Sequence, residues 1–238
     1  MSPGRILSID VGTQSTRALL FSPEGDLLAK TRVPFDPPYH SPEPGYAEQV
    51  PEVYWTSVCQ ACQALWEMPG VDAAAIAGVG LTTQRGTVVN LDSDGRPLRP
   101  AILWLDRRRS AQARPPGGLW GVLFRIAGAW QTVSHLCAEA EANWIRLEQP
   151  EVWSKTRRYL LLSGYLTYCL TGNFHDSIGC QVGYLPFDYR RQQWAAPNDW
   201  RWRAVPIDPA TLPALIHPAQ PLGAITPAAA QATGIPAG

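Results

Sequence analysis

The order of the predicted elements indicates an α/β protein built in layers. Three strands are predicted first, at residues 5–10, 17–21 and 27–34, and the turn at residues 23–26 joins the last two, so that the three form an antiparallel meander. One helix, two more strands and two more helices follow. With 45% apolar and only 17% charged residues among 238, the chain contains enough apolar material for a sizeable core.

Each later element rests on the spacing of its apolar residues. In residues 51–67 apolar side chains recur at helical spacing, which predicts an amphipathic helix. Short apolar runs at residues 75–81 and 87–91 predict buried strands. Residues 133–147 and 154–170 are predicted to be helices.

Glycine and proline indicate where the later elements end. Gly172 follows the last predicted helix and suits a C-terminal cap, because glycine adopts a positive φ without strain. Nine of the 23 prolines fall between residues 186 and 236. Residues 194–221 are therefore predicted to be largely loop, since proline interrupts both helices and strand pairing.

Charge and hydropathy argue against several classes of protein. The 20 basic and 20 acidic residues give a formal net charge of zero, whereas proteins that bind nucleic acid or membrane surfaces usually carry excess Lys and Arg. Short arginine clusters at residues 107–109, 157–158 and 190–191 are interpreted as solvated faces. No apolar run approaches the ~18 residues of a membrane-spanning helix, and the first ten residues lack a signal-peptide core. The expectation is a soluble, cytoplasmic protein.

The five cysteines do not suggest a disulfide framework, because their number is odd and their spacing is scattered. Cys59 and Cys62 form a C-x-x-C pair, which is compatible with a redox pair or half of a zinc site. No second pair completes a metal cage, and both cysteines lie within the predicted helix at residues 51–67. They are therefore interpreted as small packed hydrophobic residues.

The segment with the clearest chemistry is residues 10–17, Asp-Val-Gly-Thr-Gln-Ser-Thr-Arg. A buried strand delivers a carboxylate to its end, and a glycine then permits a tight turn. Hydroxyls, backbone N–H groups and an arginine follow, which are the groups needed to hold polyphosphate and hydrated Mg²⁺. These residue types are also common in an ordinary polar hairpin turn, which is the alternative interpretation.

Asp-x-Gly-Thr-x-Ser-x-Arg at the end of a first strand resembles the phosphate-binding turn of the FGGY carbohydrate kinases, which share the fold group of actin, hexokinase and the heat-shock chaperone ATPases. Residues 44–55, 78–87, 100–108 and 166–194 resemble other segments of that family in order and spacing. The resemblance covers residues 6–238. It implies an α/β, ribonuclease H-like (actin/hexokinase-type) domain with a mixed sheet flanked by helices.

The resemblance also implies an activity, the ATP-dependent phosphorylation of a sugar or polyol hydroxyl, with Mg²⁺ held through water by Asp10. The residues expected to contact the nucleotide phosphates are Asp10, Gly12, Thr13, Gln14, Ser15 and Arg17. Those expected near the sugar are Gln84, Arg85, Gly86, Trp104 and Asp106. Three alternatives stay open: a surface salt bridge for Arg85, core packing for Trp104, and a structural ion pair with neighbouring arginines for Asp106.

Two departures from the glycerol kinases bear on the substrate. Their sugar-strand Arg is followed by Glu, where this chain has Gly86, and their substrate-contacting Tyr falls near Leu136. Losing a carboxylate and a phenol removes hydrogen bonds to a small polyol, so glycerol is disfavoured. A xylulose-like ketose or a longer polyol is preferred, because Gly86 is expected to leave room.

Length sets a further expectation. The family has two domains of this fold with the substrates in the cleft between them, and its catalytic base lies in a segment that would follow Gly238. Residues 1–238 are therefore assigned to the N-terminal kinase domain, with no catalytic base in this chain, and the isolated chain is expected to be inactive.

The expected partners are a sugar or polyol and the C-terminal kinase domain, while a homodimer is left open and neither nucleic acid nor a membrane is expected. A second hypothesis is an actin-like or chaperone-like nucleotide-binding module, or a degenerate sugar-binding module, without catalysis. Two segments argue against it: residues 78–87, which resemble the family's sugar-contacting strand end, and residues 100–108, which contain its Trp-x-Asp-x-Arg pattern. A nucleotide switch has no need of either.

Overall fold

The computed structural model describes residues 4–182 and 184–238. In this part of the chain, helices and two small two-stranded sheets flank two four-stranded sheets. The strands are β1 (Arg5–Val11), β2 (Ser15–Phe21), β3 (Leu27–Pro34), β4 (Glu48–Gln49), β5 (Ile76–Thr83), β6 (Val88–Leu91), β7 (Ala101–Ile102), β8 (Arg158–Leu161), β9 (His175–Ser177), β10 (Phe187–Asp188), β11 (Gln193–Trp194) and β12 (Ala214–Ile216). The helices are α1 (Pro51–Trp66), α2 (Gly118–Ile126), α3 (Trp130–Glu139), α4 (Glu141–Glu148), α5 (Pro150–Lys155), α6 (Leu162–Thr171), α7 (Arg201–Ala204) and α8 (Pro227–Thr233).

The first sheet has the order β3-β2-β1-β5 and confirms the predicted N-terminal meander. β1 pairs antiparallel with β2, β2 antiparallel with β3, and β1 parallel with β5, so the sheet is mixed. Leu7, Ile9 and Val11 point to one face of β1 and are fully buried. β2 begins at Ser15, two residues earlier than predicted, because Thr16 already pairs with Val11.

The second sheet, β4-β7-β6-β8, is antiparallel throughout and separates two apolar cores. Val89 and Leu160 point into the first core, which α1 and α6 cover, whereas Val88 and Leu161 point into the second core with α3 and α4. The period-2 alternation of a strand therefore lets one sheet serve both layers.

The prediction of a single helix at residues 154–170 is wrong, because residues 158–161 form β8 and only α6 continues as a helix. Residues 159–162 form a continuous apolar run, and such a run does not distinguish a buried strand from a buried helix. α6 ends at Gly172 with φ +71°, which confirms the predicted cap.

The predicted helix at residues 133–147 is also divided. Ala140 has ψ 117° and separates α3 from α4. The buried Asn143 amide donates to the carbonyls of Cys137 (2.9 Å) and Ala204 (2.8 Å), which ties the break to α7. α2 was not predicted at all.

Other predictions for the fold are confirmed. Residues 194–221 contain only short elements, and Cys62 is packed inside the first core. Among the described residues, no helix combines the length and the apolar character that crossing a bilayer requires.

Candidate functional site

The parallel pairing of β1 and β5 brings two loops of interest together. Asp10 pairs with Thr82 and Val11 with Thr83, so both strands end at the same edge of the sheet. The Gln84 amide continues the pairing by donating to the Val11 carbonyl at 2.8 Å. The turn after β1 and the loop after β5 are therefore neighbours, although about 70 residues separate them in the chain.

The turn after β1 is tight and presents donors. The Gly12 amide donates to the Ser15 carbonyl at 3.0 Å, which closes the turn. The backbone N–H groups of Thr13 and Gln14 donate to no other described residue, so they are available to an anion. The Ser15 side chain is buried at the start of β2.

Asp10 and Arg17 face each other across the β1–β2 pair. Arg17 Nη1 donates to Asp10 Oδ2 at 2.7 Å. The pair is open to solvent, with 34% of the Asp10 side chain and 47% of the Arg17 side chain exposed. Two residues predicted to contact a nucleotide thus bind each other in this structure, in a position that a ligand can reach.

Three of the predicted residues meet through their side chains. Thr13 Oγ1 donates to Gln84 Oε1 at 2.8 Å, and Trp104 Nε1 donates to Thr13 Oγ1 at 2.9 Å. Gln84 Nε2 in turn donates to the Tyr54 hydroxyl at 3.0 Å. A single chain of hydrogen bonds therefore joins the turn after β1, the loop after β5, the loop after β7 and helix α1.

Trp104 is not core packing, since 58% of it is exposed at the surface beside Thr13. Arg85 is also exposed, and none of the salt bridges among the described residues involves it. Its Nη2 donates to the carbonyl of Gln181 at 2.8 Å. The surface-salt-bridge alternative for Arg85 therefore finds no carboxylate partner among the described residues.

Gly86 is required by the backbone. Its φ is +72°, which favours glycine, and a Cβ at this position would lie 3.3 Å from the Trp104 Cβ. A side chain at this position would therefore begin in tight contact with Trp104, on the side of the loop where that residue lies. The expectation that Gly86 leaves room for a longer substrate stays a prediction.

Asp106 lies only two residues from Trp104 and is buried, with 2% of its side chain exposed. Its carboxylate accepts bonds from the Ala47 amide at 2.6 Å, and from the amide, Nε and Nη2 of Arg108 at 2.7–2.8 Å. These contacts favour the alternative in which Asp106 forms a structural ion pair with a neighbouring arginine. The carboxylate then fixes the loop after β7, which carries Trp104.

The Asp106–Arg108 pair belongs to a larger buried cluster. Glu48 Oε1 lies 2.8 Å from Arg108 Nη2 and 2.5 Å from Arg99 Nη2. The Arg108 guanidinium also lies over the Tyr46 ring, 4.0 Å from its centroid. Two carboxylates thus face two guanidinium groups, which is how a protein accommodates buried charge.

Sequence reasoning missed several residues beside the site. Tyr54 looked like one apolar residue of the α1 face, and burial raises the pKa of its hydroxyl, which keeps it a neutral partner for Gln84. Gln181 carried no sequence signal. Asp176 lies within residues 166–194, whose resemblance to the family gave it no role. Burial raises the pKa of its carboxyl to about 6, while bonds from Ser163 and Gln181 act in the opposite direction.

The donor set fits the phosphates of a nucleotide. The free backbone N–H groups of Thr13 and Gln14 and the Arg17 guanidinium lie close to the carboxyl end of β1. Asp10 presents an exposed carboxylate there, the type of oxygen ligand that a hydrated Mg²⁺ prefers. Within residues 4–182 and 184–238 no group of three His, Cys, Asp or Glu side chains is arranged to hold a metal.

Known proteins match over nearly the whole chain. Residues 5–238 match the family described as the FGGY family of carbohydrate kinases, N-terminal domain. The xylulose kinase of Lactococcus lactis is 29% identical over 218 residues, which cover 89% of this chain and 41% of that protein.

Solved structures agree on the fold. The xylulose kinase of Rhodospirillum rubrum superposes with a TM-score of 0.79 at 23% identity. The matched region covers 98% of this chain and 48% of the Rhodospirillum rubrum chain. The glycerol kinase of Plasmodium falciparum, solved with ADP, gives a TM-score of 0.72 at 20% identity, over 98% of this chain and 47% of its own. The ribonuclease H-like prediction is confirmed. The chain spans less than half the length of these relatives.

Proposed function

We propose, since the chain belongs to the FGGY family of carbohydrate kinases, that it forms the N-terminal domain of an ATP-dependent kinase. The kinase would transfer the γ-phosphate of ATP to a hydroxyl of a ketose or polyol. The observation that carries this is the meeting of Thr13, Gln84 and Trp104 at the common edge of β1 and β5. Residues assigned to phosphate and to sugar thereby share one hydrogen-bonded surface.

The nucleotide side of the site is the turn after β1. The amides of Thr13 and Gln14 would donate to phosphate oxygens, and Arg17 would contribute positive charge. Asp10 would hold Mg²⁺ through water once Arg17 shifts toward the phosphates. Bound Mg²⁺ supplies charge neutralisation on the transferring phosphoryl group.

The sugar side is formed by Arg85, Gln84 and Trp104. Arg85 offers donors to sugar oxygens, and the exposed face of Trp104 offers an apolar surface to carbon-bound hydrogens. A xylulose-like ketose is preferred over glycerol because Gly86 and Leu136 provide neither the carboxylate nor the phenol found in glycerol kinases. Leu136 packs instead against the second core.

The C-terminal kinase domain would complete the site, and the chain leading to it would first add a strand at the unpaired edge of β5. In the described residues β5 pairs only with β1, and a groove of about 780 Å³ runs along its other edge. The groove is lined by residues 76–81 of β5 and by residues 235–238. A continuing chain has a ready position there as a fifth strand of the first sheet.

The contacts of Gly234, the residue after α8, support a direction for such a strand. Gly234, just after α8, lies against Trp66 at the end of α1. In the loop after α1, the Gly70 carbonyl accepts from Arg5 Nη1, at the start of β1, at 3.2 Å. A strand that leaves Gly238 would therefore begin beside the start of β5 and run parallel to it. Its carboxyl end would arrive next to Gln84, where the expected catalytic base is needed.

The test is an ADP-release assay of the complete protein encoded by the gene, with ATP, Mg²⁺ and a panel containing D-xylulose and glycerol. Turnover of D-xylulose above glycerol is expected, together with loss of at least tenfold in kcat/KM for Arg85→Met. Arg96→Met is the matched control, since Arg96 is an exposed arginine whose ion-pair partner, Asp94, is not a residue of the proposed site. The 238-residue chain alone should show no turnover.

Other outcomes are informative. Efficient glycerol turnover would overturn the substrate preference but not the kinase assignment. Binding of ATP and sugar without any turnover by the complete protein would overturn the kinase assignment in favour of a binding module.

A further inference from the structure

The carboxylate of Asp176 lies at the centre of a buried cluster of polar side chains that has no role in the proposed function so far. Asp176 is the middle residue of β9 and is 1% exposed. Its Oδ2 accepts from Ser163 Oγ of α6 and from Gln181 Nε2, both at 3.0 Å, and its Oδ1 accepts from the Ser177 amide at 2.8 Å. No cation forms a salt bridge with it among the described residues.

These bonds fix the short turn that follows β9. The turn spans Ile178–Cys180 and ends at Gln181, whose amide donates to the Ile178 carbonyl. Gln181 is 1% exposed, and among the described residues its side chain is held by Asp176 and by the Ser177 carbonyl at 3.1 Å. The backbone position of Gln181 is thus set from inside the protein.

The same residue holds Arg85 from its other side. The Gln181 carbonyl accepts from Arg85 Nη2 at 2.8 Å, and this is the one hydrogen bond that the Arg85 guanidinium makes with described residues. A line of contacts therefore runs from Asp176 through Gln181 to Arg85. It joins β9 to the loop after β5.

We infer that Asp176 is a positioning residue for the sugar, which acts by fixing the Gln181 carbonyl that orients the Arg85 guanidinium. The inference rests on the proposed role of Arg85 in sugar binding. It assigns to Asp176 no contact with the sugar and no proton transfer. Its effect is therefore on sugar affinity, with the nucleotide side of the site unchanged.

The inference is tested by measuring the affinity of the complete protein for D-xylulose. If another sugar or polyol of the panel binds more tightly, that compound is used in place of D-xylulose. Asp176→Asn removes the charge and replaces one carboxylate oxygen with an NH2 group that cannot accept; at the Oδ2 position this removes the acceptor of both Ser163 Oγ and Gln181 Nε2. Gln181→Met removes the amide that Asp176 holds. Each is expected to weaken sugar binding about tenfold while ADP affinity stays unchanged. Ser163→Ala is the matched control, because it removes a bond to the same carboxylate and leaves the link to Gln181 intact.

A double-mutant cycle with Arg85→Met separates positioning from general destabilisation. If Asp176 acts through Arg85, Asp176→Asn has no further effect on D-xylulose affinity in the Arg85→Met background. Additive losses, or an equal loss in Ser163→Ala, would overturn the inference and indicate a purely structural role. Thermal unfolding of each variant confirms that folded protein is compared.

The cycle also distinguishes this inference from the proposal beneath it. If Arg85→Met leaves D-xylulose affinity unchanged, the proposed role of Arg85 fails and the inference fails with it. If Arg85→Met weakens binding and Asp176→Asn does not, the positioning inference alone is overturned.

Discussion

Two aspartate–arginine pairs of this protein have the same length and opposite surroundings. Arg17 Nη1 lies 2.7 Å from Asp10 Oδ2, and Arg108 Nη2 lies 2.7 Å from Asp106 Oδ2. The first pair is open to solvent at the edge of the first sheet. The second is almost fully buried beneath the loop that carries Trp104, and its charges are shared with Glu48.

The difference shows that a short ion pair does not by itself indicate a ligand site. Both aspartates end or follow a strand, and both have an arginine close in the sequence. Water and ligands reach Asp10, so its pairing with Arg17 costs little to open. Asp106 is enclosed with all its acceptor positions used, so opening that pair would leave a buried guanidinium uncompensated.

The largest expected effect is on stability, from Asp106→Asn. Removing this charge leaves Arg108 buried without its closest partner, so the free energy of unfolding should fall by about 3–5 kcal/mol. Asp10→Asn is the matched change in the exposed pair and should cost less than about 1 kcal/mol. Urea unfolding of both variants measures the difference. Equal losses would remove the distinction between the two pairs.

A part of this site can be predicted from the sequence when the residues that determine its structure are neighbours in the chain. The turn after β1 was predictable because a strand end, a glycine and hydroxyls stand side by side in residues 10–17. The burial of Asp106 was not, because its environment is formed by Ala47 and Glu48, almost 60 residues away in the chain. The roles of Tyr54 and Gln181 likewise depend on tertiary contacts alone.

The same reasoning applies to the fold. The meander and α1 follow from periodicity and turn residues within each segment. β8 was predicted as helix because pairing with β6, about 70 residues earlier, decides between two structures that the apolar run permits equally. The sequence shows a glycine at position 86, but it does not show why glycine is needed there. The positive φ and the close approach of Trp104 arise only on folding.

A second expected effect, intermediate in size, is a pH dependence of the free energy of unfolding that comes from Glu141, which lies near Asp106. Burial raises the pKa of Glu141 to about 7, and the nearby Asp106 charge adds to this. The folded state then binds more protons than the unfolded state between pH 4.5 and 7, so this group makes stability fall as pH rises through that window.

Glu141→Gln removes this contribution. Relative to the unchanged protein, the variant should gain about 2 kcal/mol of unfolding free energy between pH 5 and pH 7. Urea unfolding at the two pH values provides the measurement. Glu24→Gln, an exposed carboxylate in the turn after β2, is the control and should show no such gain. A constant difference between Glu141→Gln and the unchanged protein would contradict the prediction.

The smallest expected effect, and the one closest to function, is the salt dependence of the exposed pair. At about 1 M NaCl the screening length is about 3 Å, so the cost of Asp10→Asn, about 0.5 kcal/mol at low salt, should vanish. The cost of Asp106→Asn should persist, because a buried pair is poorly screened. Unfolding in urea at both salt concentrations distinguishes them. A persistent cost at Asp10 would mean that its carboxylate is bound too firmly by Arg17 to be released, and the proposed exchange of Arg17 from Asp10 to phosphate would then be wrong.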